Sequence, residues 1–143
     1  MVKISLVSLH SFVSACRRTV VGHLHLIMSR NFISKLEELR RGDYLVSNNG
    51  NYKACFQDDG NLVIYTWKPV WASDTAGSDV NRLCMQADCN LVLYNKDNAP
   101  RWHTNSAKGN CTSCRLQLTD EGKLVVYKEG KEIWSSSQNK GMK

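Results

Sequence analysis

Residues 55–65 read CFQDDGNLVIY, and residues 84–94 repeat the pattern as CMQADCNLVLY. Gln, Asp, Asn, Val and Tyr recur at every second position in both copies. A third, more divergent copy, LQLTDEGKLVVY, occupies residues 116–127. A pattern repeated in this way indicates one small structural unit used three times. Such units must pack on one another, because none can bury a hydrophobic face alone.

Each copy is predicted to form β-structure. Every copy ends in a short run of β-branched, aliphatic and aromatic residues, which is typical of a strand. Asp59-Gly60 and Glu121-Gly122 precede two of these runs, where a hairpin turn requires positive φ. About thirty residues per repeat leave room for about four short strands. We therefore expect an all-β fold of about twelve strands, in three small sheets around a pseudo-threefold axis.

Two further structural expectations concern the tryptophans and one short helix. Trp71, Trp102 and Trp134 follow the three copies at equivalent places in the repeat. Equivalent aromatic residues in every repeat usually fill a shared core, so these three are predicted to meet at the centre. Trp67 lies outside the repeat and is expected to be exposed. One or two helical turns are expected only at residues 34–41, where Ser and Glu have capping-box spacing.

The repeated polar residues are predicted to form one outward patch per copy. Gln57 ends a strand, Asp59 lies in the turn and Asn61 begins the next strand. Val63 and Tyr65 then share the face of Asn61, because strand side chains alternate, and the residues between them point into the core. Amides donate and accept hydrogen bonds, a carboxylate accepts, and a phenol does either. Together with the apolar surface of valine, this set matches a pyranose sugar.

The second copy keeps all five residues and the third does not. The second set is Gln86, Asp88, Asn90, Val92 and Tyr94. The third set is Thr119, Glu121, Lys123, Val125 and Tyr127. Threonine is shorter than glutamine and lysine only donates, so the third site is expected to be inactive or much weakened. Cys89 occupies the turn position that is glycine in the other two copies, which leaves the geometry of that turn open.

These motifs resemble those of the bulb-type mannose-specific lectins typified by snowdrop, and still more those of the lily-type relatives in fish skin mucus, the pufflectin group. The likeness covers about residues 28–137. It implies a β-prism of three four-stranded antiparallel sheets, without enzymatic activity or a cofactor. It implies that the motif's Gln, Asp, Asn and Tyr bind mannose hydroxyls while its Val packs on the ring carbons. The resemblance also implies a homodimer or larger assembly that recognises microbial or parasite surfaces.

The cysteine spacing is compatible with either a metal site or a disulfide. Cys84, Cys89, Cys111 and Cys114 have spacings compatible with zinc, but Cys84 is matched by Cys55 in the first copy, which favours a strand position over a metal ligand. No metal is therefore expected. The resemblance implies a Cys89–Cys114 disulfide, like the single bridge of the plant family.

Several modifications and pairings stay open. The partners of Cys16, Cys55, Cys84 and Cys111 are not assigned. Asn110-Cys-Thr is a glycosylation sequon that matters only if the chain enters the secretory route.

Residues 29–137 are expected to form the lectin domain, residues 1–28 a leader or non-domain segment, and residues 138–143 a C-terminal tail. The six cysteines favour an oxidising, extracellular location, and the resemblance to the skin-mucus lectins implies a secreted protein of mucus-like surroundings. However, residues 1–28 form no clear signal peptide, and a cytoplasmic location stays open. No run of about 18 apolar residues predicts a membrane span. The net charge of +6 includes no dense basic stripe, so nucleic acid is not an expected partner.

Two other classes of function compete with the lectin interpretation. An enzyme would need a nucleophile with a nearby base, and His103 is the only histidine outside the leader segment. Asp59 and Asp88 belong to different repeats, which does not suggest the carboxylate pair of a glycosidase. The remaining alternative is a protein-binding β-prism scaffold that no longer binds sugar.

Overall fold

Residues 30–143 are the part of the chain that the computed structural model describes, and they form twelve short strands. Expectations about residues 1–28, including the leader and its histidines, lie outside these residues. Within the described part, no helix is long and apolar enough to cross a membrane. The strands are β1 (Phe32–Ser34), β2 (Glu38–Arg40), β3 (Tyr44–Val46), β4 (Lys53–Phe56), β5 (Leu62–Tyr65), β6 (Pro69–Ala72), β7 (Val80–Met85), β8 (Leu91–Asn95), β9 (Pro100–His103), β10 (Cys114–Leu118), β11 (Leu124–Lys128) and β12 (Lys131–Ser135).

The strands form three four-stranded antiparallel sheets, as predicted. We call them the first, second and third sheets after the motif copy each carries. Their strand orders are β3-β4-β5-β6, β2-β7-β8-β9 and β1-β10-β11-β12 respectively. Only the first sheet is continuous in sequence. The N-terminal segment supplies β2 to the second sheet, where Leu39 pairs with Leu83, and β1 to the third, where Phe32 pairs with Gln117.

The helical turn expected at residues 34–41 is wrong. Ser34 ends β1, a tight turn follows, and β2 begins at Glu38. The capping-box pair still interacts, because the Ser34 N–H donates to Glu37 Oε2 at 2.6 Å. However, Leu36 has a φ of +68°, which ends any right-handed helical turn, and the N–H groups of Lys35 and Leu36 donate to carbonyls of β10 and β7. Two neighbouring sheets therefore hold this segment as a tight turn between β1 and β2.

The core lies between the sheets and is built by strand alternation. Leu62 and Ile64 point inward and are almost fully buried, as are their equivalents in the other sheets. Trp71, Trp102 and Trp134 meet at the centre, with ring centroids 6.1 to 6.2 Å apart and every pair edge-to-face. This confirms the predicted packing role, and the geometry is the one that aromatic quadrupoles favour. Trp67 is 71% exposed, also as expected.

The C-terminal segment folds back onto the second sheet. The main chains of Met142 and His103 exchange two hydrogen bonds of 2.8 Å. The indole N–H of Trp102 donates to the Lys140 carbonyl at 2.9 Å. Gly141 lies so close to the Trp102 ring that an added Cβ would overlap it. The last residues thus cover one face of the central tryptophans.

Candidate functional site

The first motif forms a tight hairpin turn between β4 and β5. The N–H of Gln57 donates to the Asn61 carbonyl at 2.8 Å, and the N–H of Gly60 donates to the Gln57 carbonyl at 3.0 Å. Gly60 has a φ of 87°, which glycine adopts readily. Asp59 Oδ1 accepts the N–H of Asn61 at 2.9 Å, a local bond that aspartate often makes in turns. The carboxylate is thereby fixed beside both amides.

The polar side chains of this copy form a continuous row on the outer face. The Tyr65 hydroxyl donates to Gln57 Oε1 at 2.7 Å, and Gln57 Nε2 lies 3.4 Å from Asp59 Oδ2. Asn61 Oδ1 accepts hydrogen bonds from Ser73 Oγ and from the Thr75 N–H, both at 3.1 Å. The row therefore presents a carboxylate, two amides and a phenol at fixed spacing on one surface.

Val63 lies at the bottom of this patch. It is on the outer face, paired with Cys55 and Ala72 on the adjoining strands, and is only 3% exposed. Its equivalent Val92 is 3% exposed as well. The valines thus offer only a narrow apolar floor.

The second motif reproduces this arrangement. The side chains of Gln86 and Tyr94 are hydrogen-bonded, and Asp88 Oδ1 accepts the N–H of Asn90 at 2.9 Å. Asn90 Oδ1 accepts from Thr104 Oγ1 and from the Ser106 N–H, both at 3.1 Å. The Tyr–Gln, Asp–Asn and Asn–Ser/Thr pairs therefore recur in two different sheets, although Gln86 donates to Tyr94 whereas Gln57 accepts from Tyr65.

Cys89 keeps the turn geometry that sequence analysis left open. Its φ is +68°, close to the +87° and +78° of Gly60 and Gly122 in the other copies. A left-handed conformation costs a non-glycine residue about 1–2 kcal/mol. The turn is therefore retained without glycine, and other contacts of Cys89 must offset this cost.

The surroundings of the first two patches differ in which aromatic ring a basic side chain contacts. A cleft of about 630 Å³ adjoins the second patch, where it is lined by Gln86, Asp88 and Tyr94. Arg82 also lines this cleft, with the guanidinium carbon 4.7 Å from the Tyr94 ring centroid. At the equivalent register position of the first sheet is Lys53, whose ammonium lies 3.8 Å from the centroid of Tyr44.

The Arg82 guanidinium also lies 3.6 Å from the Glu38 carboxylate in the cleft beside the second patch. Tyr94 is thus supported by a paired arginine. In the first sheet, the equivalent basic side chain lies over Tyr44, which is not a motif residue.

The third motif keeps the turn but loses the polar row. Gly122 has a φ of +78°, and Ser136 Oγ accepts the Leu124 N–H at 3.0 Å, as Ser and Thr do in the other sheets. A hydrogen bond from Thr119 lowers the pKa of the Glu121 carboxyl. The side chain of Lys123 occupies the asparagine position. The backbone conformation of the turn is therefore retained, while the Thr119 hydroxyl and the Lys123 ammonium replace the two amides.

Three cysteines converge beside the turn of the second motif. The Sγ atoms of Cys89, Cys111 and Cys114 lie within 4.8 Å of one another, and all three residues are buried. Cys89 contacts both other sulfurs at disulfide positions, so the Cys89–Cys114 pairing is one of two that this geometry permits and stays a prediction. Within residues 30–143, Cys84 is not part of this group. The four-thiolate zinc site considered from spacing is therefore not formed.

The other reactive side chains do not assemble a catalytic centre in the described part of the chain. His103 Nδ1 accepts the N–H of Asn105 at 3.0 Å, a local turn contact. Burial raises the pKa of the Cys84 thiol, which disfavours a nucleophilic thiolate. Asp59 and Asp88 belong to turns of separate sheets. Asn110 is exposed, and its glycosylation stays a prediction.

Comparison with known proteins agrees with this geometry. The B-type lectin plumieribetin of Scorpaena plumieri is 66% identical over 113 residues, which cover 79% of this chain and 100% of that protein. Among solved structures, a monomeric monocot mannose-binding lectin from Gastrodia elata has a TM-score of 0.68 and 32% identity, covering 76% of this chain and 98% of that chain. The snowdrop (Galanthus nivalis) mannose-specific agglutinin, complexed with methyl-α-D-mannoside, has a TM-score of 0.63 and 34% identity, covering 76% and 97%. No family model matches the chain.

Three antiparallel sheets around a tryptophan core, with a polar patch repeated on their outer faces, define a β-prism of the lectin class. The chain belongs to the B-type, or bulb-type, mannose-specific lectin family. This is a family of lectins and not of enzymes, and the resemblance noted from the motifs is confirmed.

Proposed function

We propose that the protein binds mannose and mannose-bearing glycans at two sites, one on the first sheet and one on the second. The observation that carries this proposal is the duplicated hydrogen-bond row. In both sheets, Tyr pairs with Gln, Asp holds the turn, and the Asn oxygen is bound by neighbouring Ser or Thr groups. The Asn nitrogen is thus left as a donor at a fixed place. The third patch has no asparagine and is proposed to be inactive.

The patch suits a sugar with an axial hydroxyl, because it combines donors and acceptors at fixed spacing. A sugar that lacks the matching hydroxyl leaves a polar group unpaired, at a cost of about 1–3 kcal/mol. One shallow site of this kind should bind weakly, with a Kd of about 1 mM, or about −4 kcal/mol. Two sites engaging one glycan surface would raise the apparent affinity by roughly 10²–10⁴-fold.

The proposed biological setting rests on multivalency, on the six cysteines and on the resemblance to the skin-mucus lectins. Dense mannose arrays occur on microbial and parasite surfaces, where multivalent binding is effective. We therefore propose a secreted, extracellular protein of mucus-like surroundings that acts in innate defence as a homodimer or larger assembly. The weakness of single sites supports assembly, because additional copies multiply the number of simultaneous contacts.

The deciding experiment is a titration of the full-length protein with methyl-α-mannoside, methyl-α-glucoside and methyl-β-galactoside, followed by NMR chemical-shift changes. We expect shifts at both the first and second motifs with mannoside, and Kd values at least about fivefold weaker with the other two sugars. Retention on a mannan column gives the multivalent counterpart. Absence of any preference for mannoside would contradict the proposal and would instead favour the protein-binding scaffold.

A further inference from the structure

The turn of the second motif contacts two cysteines where one disulfide partner would be enough. Cys89 lies in the turn, Cys111 in the loop before β10, and Cys114 at the first position of β10. None of the three is more than 3% exposed, and their Sγ atoms lie within 4.8 Å of one another. One sulfur forms only one disulfide at a time. Any disulfide within this cluster therefore leaves one buried thiol in contact with it.

The backbone accommodates either partner for Cys89. The Cα–Cα distance is 5.3 Å to Cys114 and 6.7 Å to Cys111. Native disulfides span about 4.4–6.8 Å between Cα atoms, so both distances are allowed. The two cysteines are also nearly equally distant from Cys89 along the chain, so loop-closure entropy does not select one pairing.

A metal is the competing use of three converging thiols. Structural zinc sites take four protein ligands. Among residues 30–143, the group of possible ligands ends at these three cysteines. A disulfide at Cys89 also removes two of the three thiolates. The observations therefore favour sulfur–sulfur chemistry over metal binding.

We propose that Cys89, Cys111 and Cys114 form a thiol–disulfide exchange site in which Cys89 alternates between Cys114 and Cys111. The Cys111 thiol loses its proton, and the thiolate attacks Cys89 Sγ. The new Cys89–Cys111 bond forms as the Cys89–Cys114 bond breaks, and Cys114 leaves as a thiolate that takes up a proton. Both states contain one disulfide and one thiol, so no oxidant or reductant is consumed.

The exchange is coupled to the turn of the second motif. The N–H of Lys108 donates to the Asp88 carbonyl at 2.8 Å, and the N–H of Cys111 donates to the Ala87 carbonyl at 3.4 Å. The loop that carries Cys111 therefore packs directly on the turn that carries Asp88. When the disulfide partner of Cys89 changes from Cys114 to Cys111, a different part of the loop is tied to that turn. An effect on sugar binding rests on the proposed function, whereas the exchange itself does not.

The first experiment maps the disulfide in the full-length, folded protein. The protein is incubated at pH 8, quenched with acid, alkylated and digested with trypsin, which places Cys111 and Cys114 in one peptide, residues 109–115. Fragmentation between them shows which sulfur is linked and which is alkylated. We expect both linkages to Cys89, each above one twentieth of the total. A share below one twentieth for either linkage, or alkylation of all three cysteines, overturns the proposal. Retained zinc with three reduced thiols overturns it in favour of a metal site.

A matched pair of variants locks the two states. Cys111→Ser leaves only the Cys89–Cys114 pairing and Cys114→Ser only the Cys89–Cys111 pairing, so each keeps one disulfide. We expect both bonds to form under the same conditions, and failure of the Cys89–Cys111 bond to form in Cys114→Ser contradicts the exchange.

Mannoside affinity at the second motif should then differ more than twofold between the locked forms, with the first motif as internal reference. Equal affinities overturn the coupling to sugar binding. If neither motif binds mannoside, the proposed function fails while the disulfide map still decides the exchange.

Discussion

Asn61 accepts a hydrogen bond from the main-chain N–H of Thr75 through its side-chain oxygen, at 3.1 Å. A main-chain N–H can only donate, so the atom it meets must be Oδ1 and the orientation of the amide is determined. The Nδ2 group makes no hydrogen bond to any residue from 30 to 143, and it is the donor that a sugar would meet. Asn90 and the Ser106 N–H repeat this relationship in the second sheet, also at 3.1 Å.

The first prediction concerns this donor. Asn61→Asp keeps an oxygen acceptor for Thr75 but removes the donor, so mannoside binding at the first motif should fall at least tenfold. The second motif should be unaffected. Asn90→Asp should show the reverse, and the double variant should not bind. Lys123→Ala is the control on the third sheet and should bind as the parent does. NMR titration with methyl-α-mannoside separates the sites, and a uniform loss in either single variant would count against two independent sites.

The third sheet allows a gain-of-function prediction. Thr119→Gln, Glu121→Asp and Lys123→Asn together restore the motif on a turn whose backbone already matches the others. The new Asn oxygen should reach the Ser136 hydroxyl, because that hydroxyl already accepts the Leu124 N–H, as Ser73 and Thr104 do with their sheets.

We expect the restored variant to bind mannoside at three sites in place of two, with a third Kd within about tenfold of the others. The control variant, Glu121→Asp alone, should still bind mannoside at only two sites. Failure of the triple variant to bind at a third site, in a protein that still folds, would show that the five motif residues are insufficient.

The support of Tyr94 by Arg82 predicts unequal sites. Removing the cation over an aromatic ring costs about 0.5–1 kcal/mol at partly exposed positions. Arg82→Gln should therefore weaken mannoside binding at the second motif about two- to fivefold. Lys53→Gln changes the equivalent register position of the first sheet, where the cation lies over Tyr44 outside the motif. This variant should change the mannoside Kd at the first motif by less than twofold. Titrations of both variants test this, and a larger effect from Lys53→Gln would contradict it.

Substitutions at two glycines with nearly equal φ values can distinguish backbone strain from a steric clash. Gly130 and Gly122 have φ values of +79° and +78°, but an added Cβ meets nothing within 4 Å at Gly130 and overlaps the Tyr52 ring at Gly122. Gly130→Ala should cost about 1–2 kcal/mol from backbone strain alone. Gly122→Ala should cost about 1–3 kcal/mol more, because the ring must move. Urea unfolding measures both, and equal losses would mean that Tyr52 moves freely.

Acid should weaken an ion pair that bridges the second sheet. Asp79 accepts two hydrogen bonds from Arg101 and one from Asn95, and these contacts hold the pKa of its carboxyl well below the ordinary 3.8. A lowered native pKa stabilises the fold at pH values above the ordinary pKa, and this contribution is lost as the pH falls through the native pKa.

Asp79→Asn should therefore lower the urea midpoint at pH 6 but much less at pH 2. Because the pair is exposed, the difference at pH 6 should also shrink in concentrated salt. A difference that persists unchanged at pH 2 would point to lost packing in place of lost charge.

Strand alternation made much of the fold predictable. Leu62 and Ile64 point inward and Asn61 and Tyr65 outward, as a period of two requires. The three equivalent tryptophans could be placed at the centre because an aromatic position kept in every repeat usually fills a shared core. Both inferences depend on spacing within a repeat, which a sequence displays directly.

Contacts between distant segments could not be predicted in this way. Ser34 and Glu37 have the spacing of a helix start, but the donors of Lys35 and Leu36 are taken by carbonyls of Cys114 and Met85. Those partners lie far away along the chain, in other repeats. The sequence does not identify a partner for Cys111 for the same reason, because spacing alone does not show that its loop packs on the turn of Cys89.

The third sheet also ties an early segment of the described chain to its last repeat, since Phe32 of β1 pairs with Gln117 of the distant β10. A repeat in this place cannot be deleted without opening the ring of sheets, whether or not it binds sugar. Where its outer patch is inactive, as proposed, only its inner face is constrained by packing. The lectin would then carry a surface on which new side chains can accumulate while the architecture is held constant.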